Sequence, residues 1–144
     1  MNRLATIGYE GATQVAVIDK LKSAGVELLI DVRAVASSRI AGFSKTLLAA
    51  SLAEAGIDYL HLQRLGTPKP GRDAARKGHI ETMHAIYEDH LRAPDAQLQL
   101  AQPTEAARER PAALLCSEAD AAGCHRRIVA QKIQAATGCE VVDL

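Results

Sequence analysis

The segment "VELLIDVR", residues 26–33, is a nearly continuous apolar run that ends on Asp31 and Arg33. Such a run is typical of a parallel β-strand that is covered on both faces. Working outward from it, four other segments carry the same signal, namely "LATIGY" (4–9), "IDYLHL" (57–62), "AALLC" (112–116) and "CEVVDL" (139–144). The sequence therefore predicts five strands.

Segments with apolar residues at helical spacing separate these strands. They are predicted at residues 15–25, 46–55, 80–92, 95–109 and 124–138, and several end at a glycine, a common helix stop. The stretch "RLGTPKPGRD" (64–73) is predicted to be a loop because of its glycines and prolines. The alternation predicts an α/β fold: one three-layer domain over 1–144, with a mainly parallel five-stranded sheet and helices on both faces.

Length and composition narrow the classes of function. The 144 residues suit one domain, and 17 basic residues balance 17 acidic ones, so no global field draws the chain to nucleic acid or an anionic membrane. No apolar run approaches the roughly 20 residues that span a bilayer, so we expect a cytoplasmic protein with no membrane partner. The three cysteines are too few for a disulfide framework, and reduced thiols are expected.

Polar and reactive side chains follow the predicted strands. Because the carboxyl ends of parallel strands meet at one sheet edge, where ligands bind in such folds, these side chains are expected to form one site. They are Tyr9 and Glu10 after the first strand, Asp31 and Arg33 after the second, His61 after the third, and Cys116 and Glu118 after the fourth.

The loop "SEADAAGCHRR" (117–127) leads into the last predicted helix. A helix N-terminus with Arg126 and Arg127 beside it favours a bound anion. Alternatively, these arginines pair with Glu118 or Asp120 and the nearby cysteines are buried hydrophobic residues.

The two cysteines that flank this loop are also candidates for chemistry. Cys116 is a candidate nucleophile because cationic neighbours favour a thiolate, and Cys124 competes for that role. With His125 they supply only three ligands without the paired spacing of structural zinc sites, and no metal site is predicted.

Two further segments are candidates for anion binding. In "DVRAVASSR" (31–39), Arg33 and Arg39 can clamp a phosphate or carboxylate, or Arg33 can form a structural ion pair with Asp31. The basic residues Lys69, Arg72, Arg76 and Lys77 form either a solvated surface or a nucleic-acid contact.

The chain resembles the family known as domain of unknown function 488. The resemblance covers essentially the whole chain, through "TIGYEG", "DVRAVASSRIAGFSK", "AGIDYLHLQRLGTPK" and "LLCSEADAAGCHR" in the family's order. Ala36 departs from the pattern, since a proline is common there, and this change should loosen the loop. A fainter similarity to rhodanese-type sulfurtransferases is countered by the seven residues between Cys116 and Cys124.

The resemblance implies a small α/β domain and no established activity. It directs attention to Tyr9, Asp31, Arg33, Ser38, Arg39, Phe43, His61, Cys116, Glu118, Cys124, His125 and Arg126. Of these, we predict Cys116, Glu118 and His125 as catalytic residues and the other nine as ligand-binding residues.

The sequence supports three functional hypotheses and identifies no cofactor. The first is an anion-recognising pocket, at the carboxyl edge of the sheet, for a phosphorylated or nucleotide-like small molecule. Arg33, Arg39 and Arg126 would bind its charge, and Glu118 or His125 would transfer protons. The second is a Cys116-dependent sulfur or acyl transferase, and the third is a non-catalytic module that binds nucleic acid or a partner through residues 64–77.

Overall fold

The computed structural model describes residues 3–117 and 124–144. Within these two ranges, five strands form one sheet in which all neighbours are parallel. The strands are β1 (Arg3–Gly8), β2 (Leu28–Asp31), β3 (Asp58–His61), β4 (Ala112–Cys116) and β5 (Glu140–Asp143). All five coincide with the predicted segments to within two residues.

In the described part of the chain, six α-helices connect the strands. They are α1 (Gln14–Ser23), α2 (Lys45–Glu54), α3 (Lys69–Arg76), α4 (Ile80–Leu91), α5 (Pro94–Glu109) and α6 (Arg126–Thr137). Local signals set their ends: the Thr13 hydroxyl accepts a hydrogen bond from the Ala16 N–H at the start of α1, and Gly138, with φ of 72°, takes the left-handed conformation that ends α6.

The helices cover both faces of the sheet. Side chains alternate along each strand, so that Leu28 and Ile30 face one hydrophobic cluster and Leu29 faces the other. The first cluster includes side chains of α3, α4, α5 and α6, and the second includes side chains of α1 and α2. The predicted α/β class, with a parallel five-stranded sheet between helices, is confirmed.

The strand order is β3-β2-β4-β1-β5. The helices that follow β1 and β2 lie on one face, whereas the helix that follows β4 lies on the other. The helix that follows β4 therefore lies on the face opposite to the helices that follow β2 and β1, the two neighbours of β4 in the sheet. This divergence opens a crevice at the carboxyl end of β4, which is where open parallel sheets bind ligands.

The segment 64–73 differs from the prediction. Gln63–Leu65 forms one turn of 3₁₀ helix, and α3 begins at Lys69, inside the predicted loop. Pro70 lies in the first turn of α3, where its missing N–H has no hydrogen bond to lose. Pro68 and Pro70, which predict a loop, instead lie at the start of α3.

Within the described residues, no helix combines the length and the apolar character needed to cross a membrane.

Candidate functional site

A cavity of about 570 Å³ lies at the carboxyl ends of β1, β2 and β4. Its volume falls in the range of about 300–1,000 Å³ that is typical of small-molecule sites. Among the described residues, the lining consists of Tyr9, Arg33, Ala34, Val35, Ser37, Thr67, Arg72, Ala75, Arg76, Met83, Cys116, Ser117, Cys124 and His125. The predicted convergence thus brings together five of the predicted site residues: Tyr9, Arg33, Cys116, Cys124 and His125.

A buried ion pair lies beside the cavity. Arg33 is 5% exposed and Asp31 is completely buried. The Arg33 Nη2 donates to Asp31 Oδ2 at 2.7 Å, and its Nε donates to Asp31 Oδ1 at 2.9 Å, which is the bidentate geometry of strong arginine–carboxylate pairs. The structural alternative raised by the sequence, an Asp31–Arg33 ion pair, is therefore present.

The remaining donors of Arg33 fix the loop that follows β2, residues 32–44. Its Nη1 donates to the Tyr9 hydroxyl at 3.0 Å and to the Phe43 carbonyl at 2.7 Å. The rings of Tyr9 and Phe43 stack with their centroids 4.2 Å apart. His61 donates from Nε2 to the Arg33 carbonyl at 2.8 Å, since a carbonyl can only accept. These contacts hold the 32–44 loop in place, and this loop forms one wall of the cavity.

The charge of Asp31 alters two neighbouring groups. Burial lowers the pKa of Arg33, but hydrogen bonds to Asp31 and its negative charge outweigh that effect, so the net pKa is raised. Tyr59 donates from its hydroxyl to Asp31 Oδ2 at 2.5 Å. Burial, followed by this hydrogen bond and the charge of Asp31, raises the pKa of Tyr59.

We expect Tyr59 to stay protonated in alkaline solution while the protein is folded. An unfolded tyrosine ionises near pH 10, at about its unperturbed value. Since the folded pKa is raised, this group favours unfolding progressively as the pH rises above about 10. Phenolate absorbance of the wild type minus that of Tyr59→Phe should titrate well above this pH. A difference curve with an ordinary midpoint would show that Tyr59 is not held by Asp31.

The two cysteines at the carboxyl end of β4 are adjacent in space. The sulfur atoms of Cys116 and Cys124 lie at disulfide-bonding distance, with their Cα atoms 7.3 Å apart, whereas Cys139 is a free, buried cysteine. This pairing differs from the expectation of reduced thiols. The reason is that the fold places Cys124, two residues before α6, beside the end of β4, although the two cysteines are eight residues apart in the sequence.

Cationic and imidazole groups surround this pair. Arg126 is 1% exposed, and its Nη1 donates to Cys116 Sγ at 2.9 Å. His125 Nε2 lies 2.6 Å from the Val32 carbonyl and must donate to it, so in the neutral imidazole Nδ1 is the acceptor nitrogen. This Nδ1 lies 3.6 Å from Cys124 Sγ. Arg126 therefore donates to the sulfur of Cys116, and His125 Nδ1 faces the sulfur of Cys124.

The opposite wall of the cavity includes residues that the sequence did not assign to it. Arg72 is half-buried, and its Nη1 donates to the Thr67 carbonyl at 3.3 Å. Arg76, one turn further along α3, is exposed and pairs with Asp73. The sequence contained a usable signal, because recognising Pro70 as a first-turn residue would have made 69–76 a helix and placed both arginines on one face.

The other predicted site residues that the structure describes lie apart from the cavity lining. Ser38 binds within the 32–44 loop, where its N–H donates to Ser44 Oγ at 3.0 Å. Arg39 is exposed on the same loop. Phe43 is buried in the core. Asp31 and His61 bind the backbone of Arg33, at the start of the 32–44 loop. Glu118 lies outside the described residues.

No metal site is formed by the described part of the chain, since no three His, Cys, Asp or Glu side chains there are grouped to hold an ion.

These features define a doubly wound parallel α/β protein with a cavity at the carboxyl edge of its sheet whose lining includes three arginines. The model of the family described as domain of unknown function DUF488 matches residues 13–133. The chain belongs to this family. Comparison with curated proteins and with solved structures gives no match.

Proposed function

We propose that the cavity binds a small anionic molecule of the phosphorylated or nucleotide-like class. The observation that carries this proposal is the charge of its lining. Among the described lining residues, three are arginines, one is a histidine, and none is an aspartate or glutamate. A concave site of this composition attracts anions because its walls focus the positive field.

The three arginines do not contribute equally. The charge of Arg33 is balanced at close range by Asp31, and that of Arg76 is partly balanced by Asp73. Arg72 forms no ion pair with any carboxylate that the structure describes, and it is half-buried beside Thr67. Arg72 is therefore the main charge-binding residue of the proposal, with Arg76 at the rim.

In the proposed site, Arg33 does not bind the anion directly. Its N–H groups donate to Asp31, Tyr9 and Phe43, so it holds the 32–44 loop against the cavity. Proton transfer to a bound ligand would use Nδ1 of His125, because its Nε2 donates to a carbonyl.

The test is a comparison of ligand-induced thermal stabilisation with adenosine monophosphate, inorganic phosphate and neutral adenosine. A ligand at about 100 times its Kd stabilises the folded state by about 2.7 kcal/mol, a shift of roughly 5–10 °C for a domain of this size. We expect a shift with the two anions and none with adenosine.

The variants for this test are Arg72→Gln and Arg92→Gln. Arg92 is a matched control because it is exposed, pairs with Asp89 on α4 and is not part of the cavity lining. We expect Arg72→Gln to lose the shift and Arg92→Gln to keep it. Equal shifts in both variants, or no shift with any anion, would contradict the proposal.

A second candidate is a Cys116-dependent sulfur or acyl transfer. The observation that favours it is the 2.9 Å contact of Arg126 Nη1 with Cys116 Sγ, since a guanidinium favours a thiolate. In the reduced protein, the transferred sulfur or acyl group should form a covalent adduct with Cys116. The Cys116→Ser variant should therefore lack this adduct, and the Cys139→Ser variant should still form it. An adduct that persists in Cys116→Ser rules out the role.

A further inference from the structure

The environments of the two cavity cysteines are unequal. Cys116 Sγ accepts a hydrogen bond from the buried Arg126 guanidinium at 2.9 Å, whereas Cys124 Sγ faces His125 Nδ1 at 3.6 Å. A thiolate at Cys116 would keep this charge-assisted contact, which makes Cys116 the better leaving group of the pair. The imidazole beside Cys124 is placed to accept a proton from a thiol that approaches Cys124.

We infer that Cys116 and Cys124 form a disulfide when the protein is oxidised, and that this disulfide undergoes exchange with a small anionic thiol that enters the cavity. The preference for an anionic thiol rests on the proposed function, because Arg72 would bind its carboxylate or phosphate. The exchange itself rests on the cysteine pair, Arg126 and His125. Cys116 and Cys124 line the same cavity as Arg72. Each cysteine is 1% exposed, so the thiol would have to enter the cavity to reach the sulfur atoms.

The first step forms one S–S bond and breaks another. His125 Nδ1 takes the proton of the incoming thiol, and the resulting thiolate attacks Cys124 Sγ. The electron pair of the Cys116–Cys124 bond passes to Cys116 Sγ, which leaves as a thiolate held by Arg126. The products are a mixed disulfide on Cys124, a Cys116 thiolate and a protonated His125.

The second step releases the oxidised substrate. A second thiolate attacks the substrate sulfur of the mixed disulfide, and Cys124 leaves with the bonding electrons and recovers the proton from His125. Two thiols are thereby oxidised to one substrate disulfide, and the protein disulfide is reduced by two electrons. One proton is released to solvent because Cys116 remains a thiolate.

The experiment begins with the protein treated with oxidised glutathione, in which the Cys116–Cys124 bond is verified by peptide mass spectrometry. Reduction is then followed with reduced glutathione, which is anionic, with 2-mercaptoethanol, which is neutral, and with cysteamine, which is cationic. Each rate is divided by that thiol's rate with a small model disulfide to remove its intrinsic reactivity. We expect glutathione to be favoured over 2-mercaptoethanol by about tenfold, the effect of one charge-assisted contact.

The variants separate this inference from the proposed function. Arg72→Gln should remove the preference for glutathione, and Arg92→Gln should retain it. Cys139→Ser should behave as the wild type, and Cys116→Ser treated with oxidised glutathione should carry the mixed disulfide on Cys124. The phosphate-induced thermal shift of the same oxidised protein reports anion binding independently.

Each outcome has a distinct meaning. A phosphate shift without accelerated thiol exchange overturns this inference and leaves the proposed function standing. Exchange without preference for the anionic thiol also overturns it as stated, because the substrate class is then wrong. Failure to form the Cys116–Cys124 bond with oxidised glutathione overturns it directly in the wild type, without reliance on any variant.

Discussion

Replacing Arg33 with methionine is expected to lower the free energy of unfolding by about 3–5 kcal/mol, the cost of leaving a buried carboxylate without its partner. Asp31 is completely buried, and Arg33 forms the ion pair through Nε and Nη2. The same substitution removes the donors to the Tyr9 hydroxyl and the Phe43 carbonyl. Urea unfolding followed by circular dichroism measures the loss.

Two comparisons make this prediction specific. Arg3→Met removes an exposed ion pair with Glu140 and should cost less than about 1 kcal/mol. Adding Asp31→Asn to Arg33→Met should recover part of the loss, since an amide needs no counter-charge. A loss for Arg33→Met no larger than that for Arg3→Met would show that the buried ion pair does not hold the 32–44 loop.

Replacing Gly66 with alanine is expected to destabilise the protein by about 3 kcal/mol, near the upper end for added volume at a packed site. Gly66 has φ of −78°, which any residue adopts, so backbone preference does not explain the glycine. The reason is space, because a Cβ at this position would overlap the backbone N and Cα of Ala34. The wall bearing Thr67 would move relative to the 32–44 loop.

The matched control is a glycine whose added Cβ would meet a side chain. At Gly71 a Cβ would approach Thr67 Cγ2, which Thr67→Ser removes. We expect Gly71→Ala with Thr67→Ser to be tolerated, whereas Ala34→Gly should not rescue Gly66→Ala because the overlapping atoms are backbone. Rescue by Ala34→Gly, measured by urea unfolding, would contradict this explanation.

The pattern of the sequence predicted the strands well because each is an apolar segment with a local signal. The sequence also predicts that polar side chains gather at the carboxyl edge, because parallel strands bring their ends together whatever their order. It did not predict the order β3-β2-β4-β1-β5, which depends on contacts between distant segments. It therefore could not show that the end of β4 and the residues just before α6 would both line the cavity.

The individual contacts were harder to predict than the edge itself. Arg33 presented two alternatives, and only the positions of Tyr9 and Phe43 show that its donors serve the loop. The Cys116–Cys124 pairing depends on the fold, which places Cys124 beside the end of β4. The two prolines at positions 68 and 70 predict a loop at Arg72, whereas in the structure a helix begins between them at Lys69.

The most direct test of anion binding in the cavity is an NMR titration of the arginine Nε–H signals with inorganic phosphate, using Arg72→Gln to assign the Arg72 signal. We expect the Arg72 signal to shift saturably while that of Arg92, an exposed residue directly after α4, stays unchanged. An unmoved Arg72 signal, or equal and non-saturating shifts of both, would contradict binding of a small anion in this cavity.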